Sequence, residues 1–148
     1  MSTQNELKYK KYNKESGYDF HIIDYKSRDG FAVDTFVNYL NIVYNDGCFL
    51  KFLQALMEQY GDFSYEGCYG YYPNNNSPYA EEHFEEGLIC FAICFDDDKH
   101  RAFLTERQFF RYAKEACLRF VELHPEHRDF VMNIVDNWKP KYPDKFPD

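Results

Sequence analysis

Histidines 83, 124 and 127, cysteines 90 and 94, and the aspartates at 96–98 are the side chains whose type and spacing bear on chemistry. His124 and His127 flank Pro125-Glu126. Three residues apart on a helix, two imidazoles share a face, as a metal pair needs. Pro125, however, suits the first turn of a helix, which makes His124 a capping or pre-helical residue. His83 lies among Glu81, Glu82, Glu85 and Glu86 and has the makings of a partial metal site. Four carboxylates in six residues nevertheless read first as a solvated face. Asp96, Asp97 and Asp98 lack the alternating oxygens and distal Glu of a calcium loop, and read as a hairpin turn. Cys90 and Cys94 sit in an apolar run beside acids, a setting that raises thiol pKa values and predicts core packing. There is no Gly-x-x-x-x-Gly-Lys-Ser/Thr, Gly-x-Gly-x-x-Gly, Gly-x-Ser-x-Gly or His-Glu-x-x-His. The residues therefore predict no catalytic group, no resident metal and no cofactor: a binding protein, not an enzyme.

What would bind follows from charge. The chain carries 17 basic and 25 acidic side chains, a net −8. Residues 16–98 hold only Lys26, Arg28 and Lys51 against fifteen Asp and Glu. Both flanks are slightly basic, and the stretch 81–98 has seven acids and no Lys or Arg. Such a surface repels nucleic acid and anionic membrane, and attracts a basic protein or a cation by long-range steering. Aromatics make up 20% of the chain, and Tyr65, Tyr69, Tyr71, Tyr72 and Tyr79 immediately precede the acidic run. Tyrosine is enriched at recognition surfaces. Stacking of nucleotide bases on Tyr69, Tyr71 and Tyr72 fails on charge, because phosphates need a basic groove. The expected partner-binding set is Glu81, Glu82, Glu85, Glu86, Asp96, Asp97 and Asp98 with Tyr69, Tyr71 and Tyr72.

The elements that must position these residues belong to one domain of ordinary size, 148 residues. No run approaches 18 apolar residues, and the N-terminus lacks a run of signal-peptide length. The five cysteines, 48, 68, 90, 94 and 117, form no Cys-x-x-Cys pair. On one strand Cys90 and Cys94 lie about 13 Å apart at Cα, too far to bridge. All five are expected as reduced thiols, mostly packed as small hydrophobes in a reducing cytoplasm.

Residues 1–17 read as a mobile arm, 18–25 as a short strand and 27–30 as a turn. Asp34 is the expected N-cap of a helix over 35–44, with Phe36, Val37, Leu40 and Val43 on its stripe. A second helix is expected over 48–60, with Gly61 at C′. Residues 65–72 read as an edge strand, 73–78 as a loop, and 87–95 as a central strand buried on both faces. A turn at 96–101 leads to a short antiparallel strand over 102–104. Thr105-Glu-Arg-Gln108 is a capping box opening a helix to Leu123, with Phe109, Ala113, Ala116, Cys117 and Phe120 inward. A last helix runs from Pro125 to Trp138, and 139–148 form an irregular tail. The predicted class is α+β: a helical hairpin, a small mainly antiparallel sheet, and two C-terminal helices packed on it.

Several blocks carry a resemblance. They are Asn45-Asp-Gly-Cys-Phe-Leu-Lys-Phe-Leu53, Cys68-Tyr-Gly-Tyr-Tyr-Pro73, Phe84-Glu-Glu-Gly-Leu-Ile-Cys-Phe91, Phe109-Phe-Arg-Tyr-Ala-Lys-Glu-Ala-Cys117 and Leu123-His-Pro-Glu126. In this order and spacing, over about 34–128, the chain resembles the ribonuclease-toxin immunity proteins of bacterial contact-dependent growth inhibition systems. The resemblance implies a cytoplasmic protein that binds the C-terminal nuclease domain of a large secreted effector, 1:1, and blocks its active site. It supplies no catalytic residue to carry over. The choice of interface rests on this chain's own charge and tyrosines, which would dock on the basic substrate groove. Two other readings stay open: a small metal-binding domain or enzyme using His83 and neighbouring carboxylates, and an adaptor for some other basic protein.

Overall fold

A helical pair, a three-stranded antiparallel sheet and two C-terminal helices follow one another in the computed structural model, which describes residues 8–9, 20–24 and 30–146. The α+β class is as the sequence predicts. The 27–29 part of the expected turn and most of the N-terminal arm lie outside the described residues.

Helix α1 spans Phe31–Asn45. It begins four residues before the predicted start, with Gly30 rather than Asp34 as its N-cap. Gly30 sits at φ 100°, ψ −172°, a turn into the helix that a side chain resists. Val33 gains burial from that extra turn, and Asp34 becomes a first-turn acid at the positive end of the helix dipole. The expected strand at 18–25 is absent among described residues 20–24. There the Asn41 side chain plays the neighbouring strand: its Nδ2 donates to the Ile23 carbonyl and its Oδ1 accepts from the Ile23 N–H, both at 3.1 Å. Tyr9, within the expected arm, stacks on Tyr44 and donates to its carbonyl.

The second helix is shorter and differently wound than predicted. Helix α2, Phe49–Phe52, passes directly into a π-helical segment, Leu53–Glu58. The predicted apolar stripe is buried: Phe49, Leu50, Phe52, Leu53, Leu56 and Met57. Gly61 does not supply the left-handed cap; Tyr60 does, at φ 54°. The Gly61 N–H reaches the Ala55 carbonyl at 2.7 Å, a wider closure than an α-helical turn makes.

Strand β1, Cys68–Tyr71, follows a tight turn in which Glu66 and Gly67 both have positive φ and Tyr65 bridges Cys68. Strand β2 is Leu88–Ile93 and β3 is Ala102–Thr105. The order β1-β2-β3 makes β1 an edge and β2 central, as its continuous apolar run predicts. The register aligns Tyr71, Cys90 and Phe103 across the sheet, and likewise Gly70, Phe91 and Ala102. Helix α1 packs on β2 and β3, so the inner face carries Ile89, Phe91 and Leu104. The Phe91 ring meets Phe36 at 4.4 Å and Tyr39 at 4.9 Å. Gly70 is dictated by that packing: a Cβ there would lie 2.8 Å from the Tyr39 hydroxyl and 2.9 Å from the Phe91 ring.

Because β2 stops at Ile93, Cys94 is not a core residue alongside Cys90. It lies past the strand end at φ 73°, exposed, while Cys90 is fully buried. All five thiols are free. Helix α3, Glu106–Leu123, opens with the predicted capping box, both bonds present: Gln108 N–H to Thr105 Oγ1 at 3.1 Å and Thr105 N–H to Gln108 Oε1 at 3.0 Å. Its five predicted inward residues are buried. A short 3-10 turn, Pro125–His127, leads into helix α4, Arg128–Asn137. Trp138 lies just past the helix and stacks on Phe110 at 4.2 Å.

Candidate functional site

The outer face of the sheet, opposite the helices, carries Tyr69, Tyr71, Cys90, Ala92 and Phe103 by strand alternation. The chain from 73 to 84 folds over part of this face. The Asn74 N–H to Glu82 carbonyl bond (2.8 Å) closes the loop, and His83 Nε2 meets the Ser77 carbonyl at 2.6 Å. Phe84 then lays its ring edge-on between Tyr71 (6.0 Å) and Phe103 (5.1 Å). A loop tied at both ends and pinned by a ring is a rigid platform. On it a 3-10 turn, Ala80–Glu82, presents two of the glutamates.

Between this platform, β1 and the end of the π-helical segment lies a cleft of about 380 Å³. Four phenol rings, Tyr60, Tyr69, Tyr71 and Tyr72, line it with Asp62, Glu81, Glu82 and Asp96, and no basic side chain lines it among the described residues. The structure thus brings together six of the ten residues expected from sequence: Tyr69, Tyr71, Tyr72, Glu81, Glu82 and Asp96. Sequence reasoning misses Tyr60 and Asp62. They come from the far end of helical residues 49–58, and no periodicity or charge run connects them with Glu81.

The tyrosines are not equivalent. Tyr71 is buried and donates from its hydroxyl to Asp96 Oδ1 at 2.8 Å. Burial, the adjoining Cys90 thiol and Asp96 hold that phenol far above its ordinary pKa. Tyr72 donates to the Leu56 carbonyl at 2.8 Å, which ties β1 to the π-helical segment. Tyr69 is half-buried, and its hydroxyl has no partner among the described residues.

The acidic residues also divide. Arg101 holds Asp96 Oδ1 through Nε and Asp98 through a terminal nitrogen, each at 2.8 Å. Asp97 caps its own turn, accepting from the Lys99 and His100 N–H groups and lying 2.7 Å from His100 Nδ1; these bonds hold its carboxyl below the usual range. The run 96–98 is therefore an internally bonded hairpin tip that keeps part of its negative charge. Glu85 pairs with Lys145 at 2.8 Å, and the nearby Glu86 carboxylate raises the pKa of the Tyr142 phenol. The chain reverses at Phe84, so Glu85 and Glu86 face the C-terminal tail and not the cleft. Asp62, Glu81 and Glu82 make no ion pair among the described residues.

The tail that meets Glu85 is well anchored. The buried Glu106 carboxylate accepts the Lys141 and Tyr142 N–H groups at 2.7 and 3.0 Å. Lys141 lies 5.2 Å from the Tyr60 ring centre, a cation over the lip of the cleft.

The histidines expected to bear on metal chemistry have other occupations. His124 is buried, with Nε2 2.7 Å from the Tyr44 hydroxyl. His83 is committed to the loop. Among the described residues no group of three or more His, Cys, Asp or Glu is arranged to hold a metal ion. The Cys90 thiol is pushed up to about 11, chiefly by burial, and that of Cys68 likewise. No helix among the described residues is long and apolar enough to cross a membrane.

Against known proteins, a family model described as CDI immunity protein matches residues 22–135, which includes every residue lining the cleft. No curated protein matches the chain.

Proposed function

The chain belongs to the CDI immunity protein family, whose role is toxin neutralisation, and we propose that its target is a basic nuclease domain, a ribonuclease. The tyrosine-walled acidic cleft is the docking site. It meets the positive substrate groove of the toxin and covers the active site, at 1:1 and in the cytoplasm. The observation that carries this reading is the concentration of carboxylates without an ion pair, Asp62, Glu81 and Glu82, beside four phenol rings in a cleft whose lining, among the described residues, includes no Lys, Arg or His. Nucleases hold phosphates and so present basic grooves. An acidic partner steers toward them and competes with RNA for the same charges. Tyr69 and Tyr72 contribute apolar area at low entropy cost.

Glu85, Glu86, Asp97 and Asp98 take a secondary part. Their charges add to the long-range field, but their side chains are engaged by the tail or the hairpin. Two acidic clusters thus steer, and one grips. The chain itself contacts neither nucleic acid nor membrane.

Co-expression with the reading frame immediately upstream tests the proposal. The upstream product is expected to arrest growth alone, to be harmless with this chain, and to co-purify with it at 1:1. Purified toxin domain is expected to cleave RNA, and stoichiometric addition of this chain to stop it. A bound toxin with no nuclease activity would keep the immunity role and remove the ribonuclease assignment.

A further inference from the structure

We infer that the cleft is an arginine socket: it seats one guanidinium from the toxin's surface, stacked on tyrosine and forked between carboxylates. The inference rests on the proposed docking site and names what enters it. Acidity alone does not select this spot, since the 96–98 turn and Glu85–Glu86 are as acidic, with Asp96 and Asp98 held by Arg101 and Glu85 by Lys145. What distinguishes the cleft is a cavity of about 380 Å³, more than ten times the roughly 30 Å³ share of one liquid water. Four tyrosines stand among its lining residues beside four carboxylates, and one of them, Tyr69, keeps its hydroxyl unpartnered among the described residues.

The floor is preset. The Tyr71 hydroxyl and Arg101 Nε both donate to Asp96 Oδ1, which fixes that carboxylate and compensates its charge. Glu81 and Glu82 come from one wall and Asp62 from the other. A cation between them satisfies both sides at once. Guanidinium fits better than ammonium on two grounds. It is planar and weakly hydrated, so it stacks on the rings, and its five donors spread over separated acceptors. An ammonium is a compact, strongly hydrated charge with no planar face to stack on the rings. The chain already uses the weaker version at the lip, where Lys141 lies over Tyr60.

The test is a double-mutant cycle between this chain and the upstream-encoded toxin domain. Glu81→Gln/Glu82→Gln and, separately, Tyr69→Leu are paired with replacement of each toxin arginine by lysine, with dissociation constants from calorimetry. Both changes lie on half-buried side chains, and unaltered melting verifies folding. One toxin arginine is expected to couple to both cleft variants, with non-additivity of tenfold or more, and every other arginine by less than twofold. If wild-type toxin binds tightly but no arginine couples, the socket is wrong while the immunity reading stands. If alanine replacement of a toxin lysine couples instead, the guanidinium assignment is overturned. If the wild-type chain does not bind the toxin, both fall together.

Discussion

Gly70 shows how closely single atoms are constrained in this fold. The Tyr39 hydroxyl and the Phe91 ring occupy the space a methyl group would need. Gly70→Ala is expected to lower stability by about 1–3 kcal/mol in urea denaturation, the usual cost of overpacking. A second residue-level consequence concerns His124. Burial holds its pKa below the ordinary 6.5, with Glu126 opposing and His127 assisting. The folded state therefore binds fewer protons than the unfolded one. The stability it protects is complete above pH 6.5 and is lost as pH falls below that value toward the folded pKa. Unfolding midpoints at pH 7.5 and 5.5 should differ more for the wild type than for His124→Gln. Equal differences would assign the pH response to other groups. At this scale the sequence was partly legible. It marked Tyr69, Glu81 and Glu82 through composition, but whether Tyr72 or Glu85 was free depended on contacts made across 16 and 60 residues.

Among the elements, the capping box was readable because both of its bonds are local. Thr105→Ala removes one bond and unseats the other, and is expected to cost about 1 kcal/mol, read as a lower melting temperature. The start of α1 and the winding after α2 were not readable. Asp34 has the chemistry of an N-cap, yet burial of Val33 and the left-handed glycine move the start to Phe31. The apolar stripe of 49–57 is correct for either helix type, and no local signal separates α from π winding. That winding delivers Tyr60, Gly61 and Asp62 to the cleft, so the missed wall and the missed conformation have one cause. The tail is likewise an element that composition disguises. Its prolines suggest no structure, yet Glu106 clasps its backbone. Glu106→Ala leaves two N–H groups unpaired and should cost roughly 1–3 kcal/mol. It should also raise amide exchange across 139–146 while sparing α1.

Across the whole molecule, one hydrophobic core rich in aromatics holds α1 and α3 to one face of a small sheet, and the other face is the proposed recognition surface. The net −8 sets a long-range field, but the field is not evenly available at contact. Lys145 of the tail pairs with Glu85, Arg101 is shared by Asp96 and Asp98, and Asp62, Glu81 and Glu82 make no ion pair among the described residues. Association with a basic toxin should therefore be fast, should slow with added salt, and should depend on the cleft more than on net charge. Elemental charge counting cannot distinguish two reversals of equal size, whereas this arrangement can.

The most direct measurement compares such reversals. Stopped-flow association with the toxin domain at low salt would be recorded for wild type, Glu81→Lys/Glu82→Lys and Glu85→Lys/Glu86→Lys. The first pair is expected to slow association at least tenfold and to speed dissociation, while the second has a several-fold effect on association alone. Equal effects of the two pairs, or none from the first, would contradict the cleft as the site of grip.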